Sequence, residues 1–278
     1  SKGAKFSASQ VKLNESKLQF LDKNDIDSTY QIISNLNANL VDISSKSADF
    51  SAVIEDMTLF VEDYGLDVIR SNASFSTASG AAKLEELNVI TPNSQLIADL
   101  SLRLPTGGSQ DSFNDILIDA SVQESSIGLE DIRSFVPNIS GSDSFVIDQL
   151  TFSGTPNKFS LDSLRLSLPD SNFSGSLSFN NSEKTSNLVI DELIINPEDI
   201  LAFVPSLAQS QVDFLKHLGT SKMTGELTRR FSNHKINMAV YTSFGLLDVD
   251  FDFLKKDTQT PSFYDGKVRG NQFDMGGL

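Results

Sequence analysis

The sequence predicts a mainly β protein built on mostly antiparallel sheet. Apolar residues alternate with polar ones at period two through most of the chain. Turn-forming clusters (LDKND, PTGG, SGSDS, GTPNK, LPDSN, NNSEK) recur at short intervals between these runs. Helical periodicity is confined to a few short segments. Short amphipathic runs separated by regular turn signals read as a β meander.

The runs justify their strands one by one. DLSLRL places Leu100, Leu102 and Leu104 in phase, and DSLRLSL places Leu164, Leu166 and Leu168. FSGSLSF carries Phe173, Leu177 and Phe179 on one side. LVIDELII at 188–195 is apolar on both phases, so its facing is open. HKINMAVYTSF gives Ile236, Met238, Val240 and Phe244, with Asn237 and Ser243 opposite. LDVDFDF gives Leu247, Val249, Phe251 and Phe253 against Asp248, Asp250 and Asp252. Each has the signature of a strand wet on one face and dry on the other.

A phrase is written twice: GLEDIRSFVPNI at 128–139 and NPEDILAFVPSL at 196–207. Ile132, Phe135, Val136 and Ile139 stand at helical spacing, as do Ile200, Phe203, Val204 and Leu207. In the second copy Asn196 is an N-cap, Pro197 the first helical residue, and Glu198 and Asp199 complement the helix dipole. Pro137 and Pro205 limit each copy to about two turns. SQVDFLKHLG adds a third helix, with Ser210 and Asp213 as a capping box, a stripe of Val212, Leu215 and Leu218, and Gly219 as its stop. After each copy comes a Ser/Thr-Gly strand opening, TFSGTPNKF at 151–159 and KMTGELTRRF at 222–231. The repeat divides the chain into 1–127, 128–195 and 196–278, units of one elongated domain expected to be a segment of a longer chain. A helix so short is marginal alone and must dock its stripe at the end of an apolar sheet.

Composition narrows the function. The formal net charge is −15, which disfavours nucleic acid and electrostatic adsorption to anionic membrane surfaces. No Cys is present, so disulfide frameworks and thiolate chemistry are excluded. His217, near a helix C-terminus, suits the dipole, and His234, in the turn FSNHK, reads as solvated. No nucleophile elbow, zinc-binding helix or phosphate loop is present. DVDFD lacks the sixth-position Gly of a calcium loop and reads as the polar face of a strand. Asn14, Asn72, Asn138, Asn172 and Asn180 fall in Asn-x-Ser sequences, as a Ser- and Asn-rich surface gives by chance. No enzyme, metal or cofactor is expected.

Strands apolar on one face leave two solutions. The faces can close on each other as a sandwich or barrel, or an open sheet can curl so that they line a gutter. Wet apolar wall costs about 25 cal/mol per Å², so a gutter needs an apolar occupant. Lipid acyl chains meet that need at about 0.8 kcal/mol per buried methylene.

The motif order ISNLNANLVDI, EELNVITPNSQLIADLSLRL, IGLEDIRSFVPNI, LTFSGTPNKFSLDSLRL and FYDGKVRGNQFDMGGL resembles the large TamB-type proteins of the AsmA-like group. The resemblance runs nearly end to end and is one of architecture. It implies an elongated U-shaped β-taco, an open, mostly antiparallel, twisted sheet with a hydrophobic groove and a few short helices at the joints. It further implies a periplasmic segment of an inner-membrane-anchored envelope protein, a role in phospholipid movement, and an outer-membrane barrel partner of the BamA/TamA type. The family's N-terminal anchor and C-terminal partner-binding region have no match here. The expected lining residues are the in-phase apolar sets named above. Two other functions are open: a scaffold templating nascent strands at sheet edges, and an adhesin or carbohydrate-binding module, disfavoured by the absence of Trp and the small number of Tyr.

Overall fold

The computed structural model describes residues 5–20, 31–47, 49–78, 80–104, 115–133, 135, 144–203, 209–254 and 263–274. Strands β1 (Lys5–Phe20), β2 (Gln31–Lys46), β3 (Asp49–Val61), β4 (Leu66–Ala78), β5 (Ala81–Ile90), β6 (Gln95–Arg103) and β7 (Leu117–Gly128) precede helix α1 (Leu129–Ile132). Then come β8 (Ser144–Thr155), β9 (Lys158–Ser167), β10 (Asn172–Asn180), β11 (Thr185–Ile195), α2 (Pro197–Phe203) and α3 (Gln209–Leu218). The last strands are β12 (Ser221–Arg230), β13 (Asn233–Thr242), β14 (Gly245–Leu254) and β15 (Phe263–Asn271). All fifteen belong to one open antiparallel sheet and follow one another in sequence order. No helix among the described residues is long and apolar enough to cross a membrane.

Two compact units divide the chain near residue 144, the first holding β1–β7 and the second β8–β15. One copy of the repeated phrase falls in each unit, and in the second unit β11 pairs with β12 across the intervening helices.

Strict alternation would fail over strands of this length, and bulges restore it. An apolar residue, two polar residues and a second apolar residue stand in a row at Ile54–Met57, Leu84–Leu87, Leu161–Leu164 and Ile190–Leu193. Each coincides with a register shift in which the two polar residues oppose one on the neighbouring strand. Both apolar residues keep one face while the polar pair turns to the other, and the strand gains twist. Glu86 and Ser163 sit in two of these bulges at φ 54° and 53°. The bulge at Asp191–Glu192 settles the doubly apolar LVIDELII: Leu188, Ile190 and Leu193 pair with Leu227, Gly225 and Met223. The Ser/Thr-Gly openings are also backbone devices. Gly225 has φ 149°, and a Cβ there would stand 2.2 Å from the Asn237 carbonyl oxygen. Only glycine fits both demands.

The repeated phrase is part of a larger structural repeat. Leu84, Leu87, Pro92, Ser94, Leu100 and Ser101 recur as Leu161, Leu164, Pro169, Ser171, Leu177 and Ser178. β5–β6–β7–α1 and β9–β10–β11–α2 thus share one plan, including the bulge and the turns TPNS (91–94) and LPDS (168–171). In both turns the first N–H donates to the fourth carbonyl, at 2.9 Å and 2.8 Å. In both, the serine hydroxyl accepts the N–H that precedes the helix, from Gly128 at 2.9 Å and Asn196 at 2.8 Å. Each helix returns an aspartate to its turn. Asp131 accepts from Thr91 Oγ1, Ser94 Oγ and Asn93 Nδ2, and Asp199 accepts from the Asp170 N–H at 3.0 Å.

These clamps hold the helices along one edge of each unit's strands. Leu129, at 1% exposure, is the most deeply buried large side chain among the described residues. In the second copy Pro197 opens α2 and Asn196 Oδ1 accepts the Glu198 N–H at 3.0 Å, as the capping pattern predicts. α1 is one turn rather than two; Phe135 beyond it stacks on Tyr64 at 4.5 Å. α3 starts at Gln209, one residue before the cap expected at Ser210, and ends as expected at Gly219, whose N–H reaches the Leu215 carbonyl at 3.2 Å. Val136, Ile139, Val204 and Leu207 lie outside the described residues, as do the side chains of Ile200, Phe203 and Ser210.

Burial alone would raise the Asp131 carboxyl's pKa, but hydrogen bonds from Ser94, Thr91 and Asn93 outweigh it and hold the group below the ordinary carboxylate value. A folded pKa below the unfolded one stabilises the fold above the unfolded value, and that contribution is lost as pH falls through the folded one. Asp131→Ala is expected to cost about 1–3 kcal/mol at neutral pH. The gap between variant and wild type should narrow on acidification below about pH 4. Urea unfolding of both proteins at pH 7 and pH 3 checks this; an equal gap at both would show that the carboxylate's charge contributes nothing.

Candidate apolar binding face

Cross-strand partners share a face of a sheet, so the register alone assembles the site. In the second unit one row runs Phe152, Leu161, Leu177, Leu188, Leu227, Ile236 and Phe251 across β8–β14. Beside it run Leu164, Gly175, Ile190, Gly225, Met238, Val249 and Val268. A third row holds Ile147, Leu166, Phe173, Leu193, Met223, Val240 and Leu247. The fourth, at the hairpin edge opposite the helices, holds Phe159, Phe179, Ser186, Arg229, His234, Phe253 and Tyr264. In the first unit Phe75, Leu84, Leu100 and Ala120 form one row and Ala82, Leu102 and Ile118 another.

Of the residues expected to line a groove, Leu100 and Leu102 share a face in the first unit. Leu164, Leu166, Phe173, Leu177, Phe179, Ile236, Met238, Val240, Leu247, Val249, Phe251 and Phe253 share one in the second. The other three stand outside the strands. Leu104 follows β6, is 60% exposed, and binds the Gly80 carbonyl through its N–H. Leu168 opens the LPDS turn. Phe244 lies in the two-residue turn after β13, its ring 5.1 Å from that of His217 and 6.4 Å from that of Phe273. Alternation carries no information about where a strand stops, and all three sit one step past an end.

Sequence reasoning missed Phe152, Leu161, Leu188 and Leu227, and it placed His234 in solvent. The motif of two polar residues between apolar ones was the available signal for Leu161 and Leu188. His234 is instead half-buried in β13, its ring 5.7 Å from that of Phe253. It falls in phase with Ile236 because β13 begins at Asn233.

The face is apolar yet not closed. Apart from buried Ile190 and Gly175 and exposed Arg229, Tyr264 and Val268, the side chains in the four rows are half-buried. Among the described residues, complete burial of apolar side chains concentrates in the first unit, at Leu36, Ala38, Ile43, Ala52, Val68, Ala73 and Leu129. Phe152, Phe159 and Phe179 form an aromatic ladder at 5.3 Å spacings. Phe253 stacks on Tyr264 at 4.9 Å.

The reverse face is polar. Asp248 stands opposite Arg269 and Asp250 opposite Lys267, while Asp252 stands between Lys235 on β13 and Asp265 on β15. Lys222 pairs with Glu192. A depression of about 590 Å³ opens there around Arg165, Ser174, Asp191 and Glu192. No group of three or more His, Asp or Glu among the described residues could hold a metal ion. Comparison with protein-family models, curated proteins and solved structures gives no match.

Because the face is only half-buried, shortening its side chains removes contacts without opening a closed cavity. Leu177→Ala is expected to cost about 1–2 kcal/mol, against about 2–5 for Leu129→Ala. Denaturant titration of the two variants checks the ordering, and equal losses would show that the face is packed like a closed core.

Proposed function

We propose that the chain is a passive lipid-conducting segment of an envelope bridge, its sheet curled as a β-taco whose groove receives phospholipid acyl chains. The observation that carries this reading is the second unit's four-row apolar face, in register across eight strands and left half-exposed. A large unsatisfied apolar surface calls for an apolar occupant. Its walls are Leu, Ile, Val, Met and Phe with few polar handles, which suits hydrocarbon better than a ligand of defined polarity. Acyl chains lie along the face, headgroups project from its open side, and flux follows a gradient supplied elsewhere.

The resemblance to TamB-type proteins supports the same reading and supplies its setting: a periplasmic region of an inner-membrane-anchored protein serving outer-membrane biogenesis. The second reading is a scaffold whose strand edges accept an extended peptide by strand addition. The chain would then template outer-membrane barrel strands for a BamA/TamA-type partner.

Native mass spectrometry of the gently purified chain, followed by organic extraction, tests the two against each other. Several phospholipids per chain are expected, with loss of lipid and retained β circular dichroism in Val240→Asp, Val249→Asp and Phe251→Asp. A lipid-free mass for the folded wild type, with the aspartate variants unfolding, would mean that the apolar face closes on itself and would leave strand templating.

A further inference from the structure

We propose that Arg229 and His234 form a phosphate-binding lip for a glycerophospholipid whose acyl chains lie on the second unit's apolar face. The inference rests on the lipid-conducting reading and specifies where the headgroup is held.

Arg229 on β12 and His234 on β13 are direct cross-strand partners and therefore project from the same face. One step further along the strands, Leu227 pairs with Ile236, which fixes that face as the apolar one. Arg229 is its one guanidinium or ammonium among the described residues, and His234 its one imidazole. No carboxylate among the described residues shares it. Alternation sends Glu226, Asp248, Asp250 and Asp252 to the reverse side, and the bulges do the same for Asp162, Asp191 and Glu192. In a chain of net charge −15, a face free of carboxylates with one basic pair at its rim is electrostatically selective for an anion.

The surroundings fit an amphiphile's polar–apolar boundary. The same row continues into Phe179 and Phe159 in one direction and into Phe253 and Tyr264 in the other. Phe231, in the hairpin joining the two strands, is 57% exposed. Tyr264 is the amphipathic kind of ring enriched where hydrocarbon meets headgroups, and the Phe rings extend the apolar wall up to the cations. A guanidinium offers paired N–H donors to phosphate oxygens, and an imidazole offers an N–H whether or not it is charged. Arg229 Nε donates to the Phe231 carbonyl at 3.3 Å, which turns the guanidinium toward the hairpin.

Length agrees as well. From Arg229 inward, Leu227, Gly225 and Met223 continue the face toward the helix-bearing edge. Six residues span about 20 Å at 3.3–3.4 Å each, enough for acyl chains that occupy about 15 Å in half of a ~30 Å hydrocarbon core. Gly225 leaves the middle of that track without a side chain.

The test measures binding of two probes to the full chain by isothermal titration calorimetry: a short-chain phosphatidylglycerol below its micellar concentration, and the diacylglycerol with the same chains. Wild type is expected to prefer the phospholipid. Arg229→Gln with His234→Gln should weaken phospholipid binding about tenfold or more and leave diacylglycerol binding unchanged, which also shows that the variant is folded. Arg230→Gln with Lys235→Gln, which removes two positive charges from the reverse face of the same hairpin, should change neither. Equal affinity of wild type for both probes would overturn the lip while sparing the acyl-chain reading. Equal loss in both double variants, or displacement of the phospholipid by an equal concentration of inorganic phosphate, would also overturn it. Failure of wild type to bind either probe would remove the lip together with the lipid-conducting reading.

Discussion

The structure depends on keeping apolar side chains on one face while strand after strand is added to an open sheet. Side-chain direction has a period of two, so a single slip sends a strand's whole apolar set to the wrong side. The chain meets this constraint with register and bulges together. Where alternation would drift, an inserted polar residue resets the phase, and the polar pair joins the reverse face. Seven acidic residues are thereby placed: Glu55, Asp56, Glu85, Glu86, Asp162, Asp191 and Glu192 all sit in such steps.

The short helices follow from the same constraint. A sheet exposing apolar surface must be closed at its strand ends, and a helix of one or two turns has too few internal hydrogen bonds to hold itself there. The TPNS and LPDS turns supply what the helices lack. Each offers a serine oxygen to the N–H before the helix and receives an aspartate in return. The repeated Glu-Asp-Ile phrase is thus half of a clamp whose other half lies more than twenty residues earlier, across two strands.

A sheet with one polar and one apolar side ordinarily finds a second layer. In the first unit small side chains, Ala38, Ala52 and Ala73 among them, allow close burial on β2–β4. The second unit carries larger residues in the corresponding sense, Phe, Leu and Met, and leaves them half-covered. Its one basic pair stands at the rim opposite the helices, so the face has distinct ends: a clamped apolar end and an open end edged with aromatic rings.

The sequence by itself determined the mainly β class, the antiparallel sheet, the two faces of β13 and β14, the start of α2 and the end of α3. Those follow from local properties: hydrophobic period, proline and glycine geometry, and capping side chains within a few positions. Only the tertiary structure decided which side the doubly apolar β11 presents, that Leu104, Leu168 and Phe244 fall past strand ends, that His234 belongs to the apolar face, and that Asp131 and Asp199 bind distant turns. Each of these depends on a partner strand's register or on a turn far along the chain. A residue's facing is fixed by the neighbour it pairs with, and alternation within one strand does not encode that neighbour.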